Sequence, residues 1–250
     1  MTLSAVVFGS LGTLTETSEL HRQAFNEVFA EEGLDWTWDE PTYRRLLDHV
    51  GGSNRVEVYA ASRPEQEPIT HDRAAELHRK KTERYATLVR SSGVQLRPGV
   101  KRLISEVRLA GLQIGFATGT SLDNIEASFA GSGNRIGLTD FDAYTIRETI
   151  ERPKPAPDAH LRCMELLNVE AAQVLAIEDS ADGVASASSA GAAVVATPGQ
   201  YVSGQSFAGA DLVLASLGDP EHPTERLDAG AGPVGGVATL GWLATTLGLV

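Results

Sequence analysis

Four short stretches carry residue types that together could handle a phosphate ester: Gly9-Ser10-Leu11-Gly12-Thr13, Thr118-Gly119-Thr120-Ser121, Arg152-Pro153-Lys154-Pro155 and Glu178-Asp179-Ser180. A hydroxyl beside free backbone amides at a strand-to-helix turn cradles a phosphate. A lysine adds a point charge for the same dianion. An adjacent Glu-Asp pair is what an oxygen-preferring ion such as Mg²⁺ seeks. Each stretch also has a plainer reading. Thr118 and Ser121 serve as helix caps, Lys154 as a proline-flanked surface cation, and Glu178-Asp179-Ser180 as a capping box. Singly, the plain readings prevail; four in this order at successive strand ends form a far more specific signal.

The elements that must position them follow from hydrophobic periodicity. Ala5–Phe8 is a short apolar run entering the first loop, which reads as a buried strand. From Glu19 to Arg90 the pattern is helical: Glu19–Glu32 closed by Gly33, Thr42–Val50, Asn54–Ala61 and His71–Val89, with breaks at Gly51-Gly52, Pro64 and Pro68. After Gly93 the strands Gln113–Ala117, Ala143–Ile146, Val174–Ile177, Ala193–Ala196 and Asp211–Leu214 alternate with helices at Val100–Ala110, Leu122–Gly131, Pro157–Leu167 and Gly183–Ala190. Such alternation makes an α/β fold, a doubly wound parallel sheet with its ligand crevice at the strand carboxyl ends. Residues 1–15 and 93–250 are expected to form that Rossmann-like core, and 16–92 an inserted helical cap. The tail Asp228–Val250, with a closing helix at Leu240–Leu249, carries no legible function.

Composition narrows the class. With 42% hydrophobic and 22% charged residues in 250, the chain can bury a core. Thirty-three acidic residues against 21 basic give −12 and no basic stripe, so nucleic acid is not an expected partner. There is no run of about 18 apolar residues, and Met1–Gly9 lacks a basic segment leading into an apolar one. Neither a membrane span nor a secretory leader is therefore expected. The lone Cys163 cannot form an internal disulfide, which fits a reducing cytoplasm.

The order of motifs resembles the haloacid dehalogenase-like hydrolases, and within them the CbbY branch of sugar-phosphate phosphatases. Phe8 to His21 (F-G-S-L-G-T-L-T-E-T-S-E-L-H) is similar to that branch's F-D-x-D-G-T-L-x-E-T-E-E-L-H. Gly33–Trp38, Gly51-Gly52, Leu96–Val100 (L-R-P-G-V), Lys154–Asp158 (K-P-A-P-D), Glu178–Gly183 (E-D-S-A-D-G) and Asp211–Pro220 follow its pattern too. Such proteins resemble β-phosphoglucomutases, and members act on xylulose 1,5-bisphosphate. The resemblance implies a small helical cap after the first strand. It also implies Mg²⁺ and an aspartyl-phosphate intermediate: the first aspartate of D-x-D attacks phosphorus and the second transfers protons. Gly12, Thr13, Thr118, Gly119 and Lys154 would hold the phosphoryl group, and Glu178 and Asp179 would complete the metal site. In the cap, Glu16, His21, Tyr43, Gly51, Gly52 and Arg55 match positions that grip the sugar and its distal phosphate.

The chain departs from the pattern at the two aspartates, where it has Gly9 and Leu11. Glycine has no group to phosphorylate and leucine can neither give nor take a proton. Ser10 is expected to face away from the crevice, because alternate strand residues point to opposite sides. Mg²⁺ would lose its strongest ligand, keeping only Glu178, Asp179 and the weak Leu11 carbonyl. Loss of a nucleophile and its proton-transfer partner costs about 10⁴–10⁶ in rate, on a reaction with almost no background. Binding is separate, since removing two carboxylates removes repulsion towards a phosphate dianion. The expected function is a phosphatase relative that binds phosphate or a phosphorylated sugar, with no protein partner specified. The alternatives are an active Mg²⁺-dependent phosphatase with another nucleophile, and a remnant whose crevice is plugged by Leu11.

Overall fold

Strand β1 (Ala5–Phe8) is buried along its whole length, as a strand flanked on both sides and covered on both faces must be. In the computed structural model, which describes residues 2–49, 51–63, 68–133, 135–201 and 206–250, β1 is joined by β2 (Gln113–Ala117), β3 (Ala143–Thr145), β4 (Val174–Glu178), β5 (Ala193–Ala196) and β6 (Leu212–Val213). The order is β3-β2-β1-β4-β5-β6, and every pair is parallel. Phe8 lies opposite both Phe116 and Ile177. The loops leaving β1, β2 and β4 therefore start at one level, on one edge of the sheet.

Both edge-side strands open on an aspartate that replaces part of the ladder. Asp142 accepts from Ile114 N (2.8 Å), and Asp211 from Val194 N (2.8 Å), through their carboxylates. This is why the last strand begins at Leu212 and not at Asp211. The stretch after β1, expected as a loop, is a single helical turn, α1 (Leu11–Leu14).

Helices α2 (Ser18–Glu31), α3 (Glu40–Leu46), α4 (Gly52–Ala61) and α5 (His71–Ser92) then intervene between β1 and β2. Val50 and Pro64, expected as a helix end and a break, lie outside the described residues. Phe25, Phe29, Trp36, Trp38 and Tyr43 form an aromatic core for this block, separate from the sheet's own. Ring centroids stand 4.4 Å apart for Phe25–Trp38 and 5.0 Å for Phe29–Trp38, the tilted arrangements that aromatic pairs prefer. Tyr201, from the loop after β5, is the sheet's contribution to this core and is itself buried.

The chain returns from the helices beside the strand it left. Thr15 bridges Leu96, and Arg97 N donates to Leu14 O (2.9 Å). Helices α6 (Val100–Leu109), α7 (Leu122–Gly131), α8 (Asp158–Leu167) and α9 (Ala181–Ser189) cover the sheet. The tail ends in α10 (Leu240–Thr246), whose Leu243 and Ala244 join the core with Leu249, while Leu3 N donates to Leu249 O (2.9 Å).

Candidate functional site

The first loop begins where Gly9 N still donates to Ile177 O (2.9 Å), so residue 9 remains part of the sheet edge. A Cβ built on Gly9 would fall inside the carboxylate of Glu178. Glu178, at the end of β4, points into the space that a side chain at residue 9 would fill. Lys154 Nζ donates to Glu178 Oε1 (2.6 Å) and to Gly9 O (2.5 Å). His160 Nε2 stands 2.8 Å from the same Oε1, while its Nδ1 lies 2.9 Å from Ser186 Oγ. Glu178 and His160 are fully buried. Burial alone would raise the Glu178 carboxyl, yet Lys154's charge, then His160, hold it below the ordinary value.

Ser10 follows, and it faces the crevice. Its Oγ donates to Asp179 Oδ1 (2.6 Å) and accepts from Thr13 N (3.1 Å). The expectation that Ser10 turns away is corrected here: β1 ends at Phe8, so residue 10 has left the pleat and acts as the N-cap of α1. Thr13 Oγ1 reaches the same Asp179 oxygen at 3.4 Å. Gly12 is packed so closely on Asp179 Oδ2 that a Cβ would overlap it. Burial, then the Glu178 charge, pushes the Asp179 carboxyl up.

These contacts test the residues against magnesium. Asp179 is held by Ser10 and Thr13, and Glu178 is buried against Lys154 and His160. Leu11 O accepts from both Thr15 N (2.8 Å) and Thr15 Oγ1 (2.9 Å). Among the described residues no group of three or more His, Cys, Asp or Glu side chains could hold a metal ion. As arranged, both carboxylates bond to partners of the chain and do not stand open as oxygen ligands for a hard cation.

Between the sheet edge and the helices lies a cavity of about 770 Å³. Leu11 is part of its floor without plugging it, beside Ser10, Gly12, Thr120, Asn124, Asp179 and Ser180. The helical wall carries the basic side chains Lys81, Arg55, His78 and His21, with Tyr43, Tyr85 and one acid, Asp48. Lys81 Nζ is 2.7 Å from His21 Nδ1 and lies over the rings of Phe25 (5.0 Å) and Tyr85 (5.2 Å). His21 stacks on Tyr85 at 3.9 Å. Arg55 is held by Nε, which donates to Leu46 O (3.2 Å) and His49 O (2.9 Å). Among the described residues no carboxylate pairs with Lys81, Arg55 or His78. Burial, then the charge of Arg55, pulls Lys81 down to about 7. Burial, then Lys81, holds His21 well below its usual range.

Of the residues singled out in the sequence, Leu11, Gly12, His21, Tyr43, Arg55 and Asp179 meet at this cavity. Gly9, Glu178 and Lys154 lie beneath its floor. Thr118 is buried; its Oγ1 accepts from Thr120 N (3.2 Å) and its carbonyl from Thr145 Oγ1 (3.0 Å), while Gly119 is exposed beside it. Gly51 has φ +90°, a conformation that glycine alone adopts readily, and Gly52 leaves room for the His78 ring. Both shape the helical wall without lining the cavity.

Glu16 stands where the chain leaves the sheet for the helices, and its carboxylate accepts from Ser18 N and Gln200 N, each at 3.0 Å. It borders a second cavity of about 780 Å³ beside Arg97. Arg97 is buried and binds the carbonyls of Gly12, Thr197, Pro198 and Ala215 (2.6–3.3 Å), tying the return linker to three loops. Sequence reading missed Lys81, His78 and Arg97, and turned Ser10 the wrong way. A signal for Lys81 was present: Leu77, Lys81, Tyr85 and Leu88 share the buried face of α5, which puts a cation on an apolar stripe.

The profile of the haloacid dehalogenase-like hydrolases matches residues 3–191. Protein CbbY of Rhodobacter capsulatus is 41% identical over 220 residues, covering 87% of this chain and 95% of that protein. The crystal structure of a CbbY variant from Rhodobacter sphaeroides in complex with xylulose-(1,5)bisphosphate superposes with a TM-score of 0.73 at 37% identity, over 88% of this chain and 96% of that one. The structure of CbbY from the same organism in complex with phosphate gives 0.72, also at 37% identity, over 86% and 95%.

Proposed function

The chain belongs to the haloacid dehalogenase-like hydrolases, in their CbbY branch, and we propose that it binds a phosphorylated sugar while the aspartyl-phosphate chemistry of the family is impaired. In this reading residues 16–92 act as a cap over a core formed by 1–15 and 93–250. The observation that carries the binding half is the basic wall: Lys81, Arg55 and His78 face a cavity of about 770 Å³, and among the described residues no carboxylate pairs with them. An anion at that wall supplies the missing partner. The phosphate-bound and xylulose-bisphosphate-bound relatives support the same class of ligand.

The other half rests on Gly9 and Leu11. Position 9 offers no acceptor for a phosphoryl group, and Glu178 fills the space with a carboxylate buried against Lys154. Position 11 offers no proton. Removal of both groups lowers turnover by about 10⁴–10⁶.

One observation favours a second reading, turnover through another nucleophile: Ser10 Oγ faces the cavity 2.6 Å from Asp179 Oδ1, a carboxylate that could accept its proton. Leu11 still leaves the departing oxygen without an acid, which is why binding is the reading preferred.

A thermal-shift titration with xylulose 5-phosphate and inorganic phosphate, run beside a phosphate-release assay, tests both halves. Binding is expected to add about 2.7 kcal/mol of stability at a hundredfold excess over Kd, with no release above background. Absence of any shift overturns the binding. Turnover at the rate of an active relative overturns the impairment, and its loss in Ser10→Ala would establish the second reading.

A further inference from the structure

The cavity's two walls differ in what they offer an anion, and this bears on the ligand class within the function just proposed. On the sheet side the one lysine, Lys154, is taken: its Nζ is 2.6 Å from Glu178 Oε1, and that carboxylate is fully buried in the space beside Gly9. The chain's own carboxylate therefore already satisfies the charge that would have held a phosphoryl group. What the sheet side still shows to the cavity is Asp179 and Asp182, with Ser10, Ser180, Thr120 and Asn124. Two carboxylates repel a phosphate dianion brought close to them. The same groups suit sugar hydroxyls, which donate to carboxylates and accept from hydroxyls and amides.

On the helical side the balance is reversed. Lys81, Arg55 and His78 are cationic or able to become so; Asp48 is the acidic residue lining this side, and among the described residues no acidic side chain pairs with them. Arg55 is fixed by Nε to two backbone carbonyls, and its two Nη groups make no hydrogen bond among the described residues. A guanidinium anchored by its stem with its fork open suits bidentate contact with phosphate.

We infer that this protein holds its ligand by a single phosphate at the helical wall, hydroxyl end against Ser10 and Asp179, and so selects sugar monophosphates over bisphosphates. This rests on the binding reading above and sharpens it. The second phosphate of a bisphosphate would meet Asp179 and Asp182, with Lys154 already paired to Glu178.

Isothermal titration of the full chain with xylulose 5-phosphate, xylulose 1,5-bisphosphate and inorganic phosphate tests it. The monophosphate should bind at least as tightly as the bisphosphate. Glu178→Ala, which frees Lys154 and empties the space beside Gly9, should raise bisphosphate affinity tenfold or more while changing the monophosphate less than threefold. Asp179→Asn, which removes one repelling charge and leaves the Lys154 pair intact, should shift the ratio the same way should the alanine variant fail to fold. Arg55→Met should weaken both sugars at least tenfold. Bisphosphate binding tenfold tighter than monophosphate in the unaltered protein overturns the inference and leaves the proposed function standing, as does an unchanged ratio in both Glu178→Ala and Asp179→Asn. If neither sugar phosphate binds, the proposed function falls with it.

Discussion

Lys154 Nζ and Glu178 Oε1 lie 2.6 Å apart beneath the cavity floor, and together they occupy the space that the absence of a side chain at Gly9 leaves open. A buried pair of this kind contributes little net stability over an apolar substitute, but breaking it leaves a charge stranded. The void at residue 9 and the inward turn of Glu178 are thus two halves of one arrangement.

Steric coupling between residues 9 and 178 follows. Gly9→Ala should destabilise the protein by about 1–3 kcal/mol, because its methyl overlaps the Glu178 carboxylate. In a Glu178→Ala background the same change should cost almost nothing, giving a coupling of at least about 1 kcal/mol by urea unfolding. Additive costs would show that Glu178 does not occupy that space.

Lys154→Met should cost about 3–5 kcal/mol, since it leaves the buried Glu178 carboxylate with His160 as its remaining partner. The sign of the pH dependence is also fixed. Glu178 titrates below its ordinary value in the folded protein, so its contribution is complete above that ordinary value and is lost as pH falls through the lower folded one. Without Lys154, His160 alone opposes burial, and the carboxyl moves up from its value in the parent. The acid-unfolding midpoint of Lys154→Met should therefore lie at higher pH than that of the parent.

Lys81 gives the opposite limb. Its folded value of about 7 lies below the ordinary 10.5, so between these the unfolded chain holds a proton that the folded one has released, and stability rises with pH. Lys81→Met should flatten that rise and, at pH 7 or below, stabilise the free protein by about 1–3 kcal/mol. It should also weaken phosphate binding. In the parent above pH 7, binding should take up a proton, read as a buffer-dependent heat in calorimetry.

Tyr201 ties the loop after β5 to the helical block. Its hydroxyl donates to Glu19, its ring meets Tyr43 at 5.7 Å, and Arg44 lies 5.0 Å above it. Tyr201→Phe should cost about 1–3 kcal/mol, as expected for a bond to a charged acceptor. Tyr201→Ala should cost about 3–5 kcal/mol and speed hydrogen exchange in α3. Unchanged exchange in the alanine variant would show that Tyr201 does not hold the helices to the sheet.

Much of this protein was legible in the sequence because it depends on neighbours along the chain. Apolar runs of four or five residues ending in Gly9, Thr118 and Asp179 mark the strands and their order, and the 3.6-residue spacing marks α2 and α5. That positions 9 and 11 hold glycine and leucine is read directly from the sequence. What the tertiary structure alone decided are contacts between residues far apart. Ser10 and Asp179 are 169 residues apart, Lys81 and His21 are 60 apart, and Tyr201 and Glu19 are 182 apart. Periodicity says which face of an element is apolar, but not which distant side chain fills a particular gap. The turn of Glu178 into the space at Gly9 and the exit of Ser10 from the pleat depend on volume and charge that exist only once the strands lie side by side.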